Sequence, residues 1–132
     1  QAEIPAANGH GNARSIVRAQ TPIANGGHAF GTQIMSEAMT RRIFEEQVRG
    51  VDLVLGIPLA HGLGYGVNSD LAPISPNKHA CYWGGYGGSV VFIDQDARVC
   101  LSYVMNRMEP GLTGDERGLS LVTAMYQSLM QS

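Results

Sequence analysis

At 132 residues the chain suits one compact domain, and its 44% apolar content is enough to build a core. Only 15% of residues are charged, the formal net charge is −2 and the pI is about 6.1, which excludes a basic surface for nucleic acid. No stretch approaches the roughly 18 consecutive apolar residues of a membrane span, and two cysteines are too few for a disulfide scaffold.

The chain begins at Gln1 rather than Met, so it is expected to be processed or part of a longer chain. Its first residues hold no apolar signal-peptide core, and the cytoplasm is the favoured compartment. Low charge with 17 glycines suits a surface covered by a partner.

Residues 1–9 are small and turn-rich and close on Asn8-Gly9. The pattern predicts a helix over 10–20, with Ala13, Ile16 and Val17 on its apolar face. Pro22 is expected to end or kink it, and "ANGG" (24–27) is a stop signal. A second helix is predicted from Ser36 as N-cap, with Glu37 in its first turn and Met39, Ile43, Phe44 and Val48 on one face, ending at Gly50. "VDLVLGIPL" (51–59) is extended and apolar, although Pro58 argues against a central strand. "GLGYGV" (62–67) reads as a short strand, and 68–78 as a loop punctuated by Pro73, Pro76 and Asn77.

The strongest β signal follows. "HACYW" (79–83), "SVVFI" (89–93) and "RVCLSYVM" (98–105) predict a three-stranded antiparallel meander, the last two strands joined by "DQDA". Their alternation puts apolar residues on both faces: Val90 and Phe92 oppose Val91 and Ile93, and Leu101 opposes Cys100. A final helix is predicted over about 114–130, with Gly118, Leu121, Val122, Met125 and Leu129 along one stripe. One helix covers one sheet face, so the earlier helices or a segment outside this sequence must cover the other. The fold class is therefore α+β.

Chemical motifs are sparse. Histidines 10, 28, 61 and 79 have no metal-ligand spacing, and no cofactor is called for. Cys81 and Cys100 fall on the first and third strands of the meander, about 9–10 Å apart at the usual strand spacing, too far to bridge. Ser75-Pro76-Asn77-Lys78 fits S-x-x-K, but that chemistry needs serine and lysine one helical turn apart, and here they lie in a loop running into a strand. Four glycines surround Tyr86 in "WGGYGGS", just before a strand they would weaken. No GK[ST] follows, so this is not a phosphate loop.

Taken together, "PAANGHGNARSIVRAQTPIANGG", "GYG", "CYWGGYGGSVVFIDQDARVCLSYVMNRM" and "GDERGLSLV" resemble the C-terminal part of the serine β-lactamase-like hydrolases, with motifs in order over residues 5–125. This superfamily holds class C β-lactamases, D-Ala-D-Ala carboxypeptidases and class VIII carboxylesterases, and the likeness is strongest to the esterase-like branch. The resemblance implies a partial β-lactamase/transpeptidase-like domain. Trp83-Gly84-Gly85 matches the family's third motif, while the S-x-x-K helix and the tyrosine motif come earlier in the family's chains. Tyr65-Gly66-Val67-Asn68 is only a displaced Y-x-x-N.

By the same resemblance, the backbone N–H of Tyr86 is the oxyanion donor, and Trp83, Gly84 and Gly85 bind substrate. Trp83 stands where other members carry lysine or histidine, which favours neutral esters over β-lactam carboxylates. The Asn8-Gly9-His10 loop either borders the cleft or caps a helix. The implied partner is a small-molecule ester in a complete enzyme, with these residues inactive alone. Alternatives are a non-catalytic module that binds a partner or itself through its apolar face, and co-assembly with a separate chain bearing S-x-x-K.

Overall fold

The computed structural model describes residues 3–5 and 9–131. Helix α1 (Ala13–Ala24) starts at an Asn12 capping box: Ser15 N–H donates to Asn12 Oδ1 at 2.9 Å, and Asn12 N–H to Ser15 Oγ at 3.1 Å. The helix runs through Pro22, against the expected end near 20. Pro22 falls in the last turn, where its missing N–H forfeits one bond, and its carbonyl takes the Asn25 and Gly27 N–H groups at 3.2 and 2.7 Å. The stop therefore comes at the predicted Asn-Gly-Gly, and Pro22, Ile23 and Ala24 are buried.

A small hairpin follows, β1 (His28–Ala29) with β2 (Thr32–Gln33). Helix α2 (Glu37–Arg42) has the predicted cap, Met39 N–H donating to Ser36 Oγ at 3.2 Å. It ends eight residues short of the expected Gly50. The competing structure is a strand, β3 (Val48–Val51), which pairs with β4 (Pro58–His61), and Gln47 N–H already bonds His61 O at 2.7 Å. Pairing with β4 satisfies backbone groups of this segment, and Val48, exposed in the strand, has no buried helical face to hold it instead. Ile43 and Phe44 still reach the core.

The predicted three-stranded meander is the far half of a six-stranded antiparallel sheet. Its order is β3, β4, β5 (Gly66–Val67), β6 (Ala80–Gly84), β7 (Val90–Asp94) and β8 (Val99–Tyr103). Pro58 does lie in a strand flanked on both sides, but as its first residue, where proline is tolerated. Residues 62–67 supply only a two-residue strand.

Both faces are covered as their alternation requires. On one, α1 packs Ile23 and Ala24 against Cys81, Ile93 and Val67, with Val91 and Cys100 at the margin. On the other, helix α3 (Glu116–Leu129) places Val122, Met125 and Tyr126 against Ala80, Phe92 and Leu101. Asp115 caps α3, accepting from Arg117 N–H at 3.0 Å. Two of the five predicted stripe residues, Leu121 and Leu129, are exposed, and Tyr126 replaces them because its hydroxyl has a buried partner, Asp94.

Cys81 and Cys100 are free thiols, separated by Ile93, which pairs with both. Burial raises both thiols above their ordinary range, Cys100 to about 11. Ellman's reagent at pH 8 is therefore expected to titrate neither thiol promptly in the native chain and both in urea. Prompt native reaction would contradict this packing.

Candidate active site

Residues 85–89 close the turn between β6 and β7. Gly88 N–H bonds Gly85 O at 3.3 Å, and Gly87 and Gly88 take φ of 94° and 117°. That is a left-handed backbone glycine adopts without strain. Gly85 N–H bonds Ser89 O at 2.9 Å, and Gly87 N–H bonds Gly111 O at 3.0 Å. Between these two tied amides, Tyr86 N–H has no acceptor among the described residues. The Tyr86 side chain is exposed.

Gly84 answers a different demand. A Cβ there would meet Thr113 C, Thr113 O and Gly114 N at 2.1, 2.2 and 2.4 Å. Its bareness admits the 111–114 loop, which in turn holds the 85–89 turn through Gly111. Backbone atoms cannot swing away as a side chain can. Gly84→Ala is thus expected to cost about 1–3 kcal/mol, read as a lowered thermal midpoint. An unchanged midpoint would show that the loop does not lie there.

Trp83 through Tyr86 form one wall of a cleft of about 710 Å³. Met108 and Leu112 contribute from the segment before α3, and Gly9 borders it. Asn8 lies outside the described residues, and the α1 cap is Asn12. Facing the wall is the β3–β4 hairpin tip, with Val54, Leu55 and Asp52. This tip is the "VDLVLGIPL" segment, a hairpin turn rather than one extended run. Leu53 and Val54 are 100% and 88% exposed.

Among the described lining residues Asp52 is the one charged side chain. Its Oδ1 accepts from Val54 and Leu55 N–H, each at 2.8 Å. Those backbone bonds, Leu55 first, hold its carboxyl below the usual 3.8. A lowered folded value stabilises the tip above the unfolded value, and that support is lost as pH falls through the folded one. Asp52 Oδ2 lies 3.6 Å from His61 Nε2, and the His61 ring is centred 5.2 Å from that of Trp83. The sequence reading missed Asp52 and His61, whose separation in the chain carries no motif. It also missed Met108 and Leu112.

The other motif candidates have structural employment. Ser75 Oγ donates to Asp94 Oδ2 at 3.0 Å, lies 2.7 Å from Tyr126 OH and accepts from Asn77 N–H at 2.9 Å. Residues 75–78 are not helical, so Ser75 and Lys78 do not form the nucleophile–base pair. Tyr65 OH bonds Gln20 Oε1, and burial raises it to about 12. Asn68 orders its own loop, accepting from Ile74 and Ser75 N–H and donating to Ser75 and Asn77 carbonyls. A second cavity of about 230 Å³ lies under α3 with an apolar lining, and its one carboxylate, Asp115, is held by Arg117. Among the described residues no cluster of three His, Cys, Asp or Glu is placed to hold a metal, and no helix is long and apolar enough to cross a membrane.

Residues 1–124 match a family model described as Beta-lactamase. The esterase/beta-lactamase LipL of Mycobacterium tuberculosis (strain ATCC 25618 / H37Rv) is 33% identical over 109 residues, 81% of this chain and 24% of that protein. A family VIII carboxylesterase structure aligns with TM-score 0.80 and 34% identity, covering 89% of this chain and 31% of that one. A penicillin-binding protein homologue from Caulobacter crescentus aligns with TM-score 0.85 and 36% identity, covering 96% and 34%. The chain spans about a quarter to a third of the length of these relatives. The antiparallel sheet with its C-terminal helix is the β-lactamase/transpeptidase-like arrangement that the sequence led us to expect.

Proposed function

The chain belongs to the Beta-lactamase family, and from that membership we propose that it builds one wall of a serine-hydrolase site that cleaves carboxylic esters through an acyl-enzyme. The observation that carries this reading is the Tyr86 N–H, without an acceptor among the described residues, between two tied amides at the edge of an apolar cleft. A serine hydroxyl attacking an ester carbonyl drives its electrons onto oxygen, and a fixed N–H stabilises that charge as it develops. The alcohol then leaves, and water hydrolyses the acyl-serine. Trp83, Gly84 and Gly85 line the acyl side. Indole offers neither a cation nor a transferable proton at neutral pH, and among the described lining residues Asp52 is the one charge, so neutral, apolar esters fit better than anionic β-lactams.

The nucleophile and its base come from a Ser-x-x-Lys helix outside these 132 residues, seated against the exposed rim of Leu53, Val54, Tyr86, Met108 and Leu112. An apolar rim of this kind favours association with such a segment, or with a second copy when the segment is missing. The test is hydrolysis of p-nitrophenyl butyrate. The 132 residues alone are expected to show no turnover, and Ser75→Ala to change nothing. Assembled with a family segment bearing Ser-x-x-Lys, they turn the ester over. Turnover by the chain alone that Ser75→Ala abolishes, or an assembled form without turnover, would overturn the reading.

A further inference from the structure

Trp83 does not stand alone in the cleft wall. The His61 ring lies against it, centroids 5.2 Å apart and planes inclined by 51°. His61 Nε2 faces Asp52 Oδ2 at 3.6 Å, both side chains three-quarters buried. Asp52 also organises the hairpin tip through four bonds. Its Oδ1 takes Val54 and Leu55 N–H, its own N–H donates to Ile57 O at 2.9 Å, and its carbonyl takes Gly56 N–H at 2.8 Å. One residue thus reaches both the apolar tip on one side of the cleft and, through His61, the indole on the other.

We propose that Asp52 and His61 are positioning residues that lock the Trp83 indole and the Val54–Leu55 tip at a fixed separation, and so set the length of apolar acyl group the cleft accepts. This rests on the ester reading of the cleft. The physical reason is preorganisation: a wall held in place loses no side-chain entropy when an acyl chain fills the gap. Without the pair, the indole near the end of β6 and the Val54–Leu55 tip are each free to move. Long acyl chains, which touch both walls, lose more than acetate, which touches neither tip residue.

Trp83 is the one tryptophan among the 132 residues, so fluorescence excited at the red edge of the indole band, beyond tyrosine absorption, reads it alone. His61→Ala is expected to red-shift the emission and lower its anisotropy. His61→Phe, which keeps a ring against the indole, restores most of both. Asp52→Asn keeps an oxygen for Val54 and Leu55 N–H but removes the charge facing His61, and gives an intermediate shift; it serves also if His61→Ala fails to fold by far-UV circular dichroism. In the assembled hydrolase, His61→Ala is expected to raise the KM ratio of p-nitrophenyl hexanoate to acetate at least fivefold, and His61→Phe to restore it. An emission unmoved by His61→Ala overturns the pairing and leaves the ester reading standing. A shifted emission with an unmoved KM ratio overturns the role in acyl selection. Absence of turnover by the unsubstituted assembly overturns the ester reading and the acyl role with it, while the emission still decides the pairing.

Discussion

Asp94→Ala is expected to lower the unfolding free energy by about 3 kcal/mol, because it strands four partly buried donors at once. Asp94 is fully buried at the end of β7. Its Oδ1 accepts from Ala97 N–H at 2.8 Å. Its Oδ2 accepts from Ser75 Oγ at 3.0 Å, Asn77 Nδ2 at 2.9 Å and Tyr126 OH. These donors come from the β7–β8 turn, the 68–78 loop and α3, so one carboxylate ties three segments to the sheet. Burial, and then this carboxylate, raises the Tyr126 phenol well above its ordinary range, so the hydroxyl stays a donor at every accessible pH. Tyr126→Phe removes one donor and leaves Asp94 its other three, and is expected to cost about 1 kcal/mol. The measurement is a urea midpoint at constant m-value. Equal, small shifts for both variants would mean that water replaces the protein donors and that the network is not buried as described.

How far the sequence foretold this molecule depends on what each element is made of. The meander was legible because alternation over 89–93 and 98–105 fixes which side chains share a face, and the two packed layers follow it. Val48 was misplaced because its spacing from Ile43 and Phe44 suits a helix, and only the partner strand ten residues on decides otherwise. Local pattern cannot weigh a competitor that distant. Pro22 misled for a different reason: it costs α1 one backbone bond, but the helix runs only two residues further, to Ala24, so the stop comes at the Asn-Gly-Gly and not at the proline. At the site, the glycines of "WGGYGG" stood out in the sequence, and Gly87 and Gly88 supply the left-handed backbone of the turn. Yet Gly84 is there for the approach of Thr113, a contact no local pattern reveals. Asp52 and His61 were invisible because neither has a motif; the folded hairpin brings them to Trp83.

The proposed oxyanion donor has an unusually clean test, because its turn accepts proline. Residues 85–88 form a β-turn with Gly85 O accepting from Gly88 N–H, and Gly87 at the third position has φ of 94°. That is the pattern of a type II turn, whose second position, Tyr86 here, favours proline. Tyr86→Pro therefore deletes one N–H and keeps the backbone path. Gly85, which precedes it, tolerates the restriction that proline imposes on its neighbour. Tyr86→Ala removes the same side chain and keeps the N–H, so the two variants differ at the group in question. Thermal midpoints within a few degrees of each other would establish that the fold is shared.

The decisive measurement is kcat for p-nitrophenyl butyrate, made on the chain assembled with a family segment bearing Ser-x-x-Lys and carrying each Tyr86 substitution. Tyr86→Pro is predicted to lower kcat by about 100- to 1000-fold, the worth of one oxyanion donor, with KM little changed and Tyr86→Ala within a few-fold of the parent. Equal kcat for the proline and alanine variants would contradict the assignment of the oxyanion to this turn.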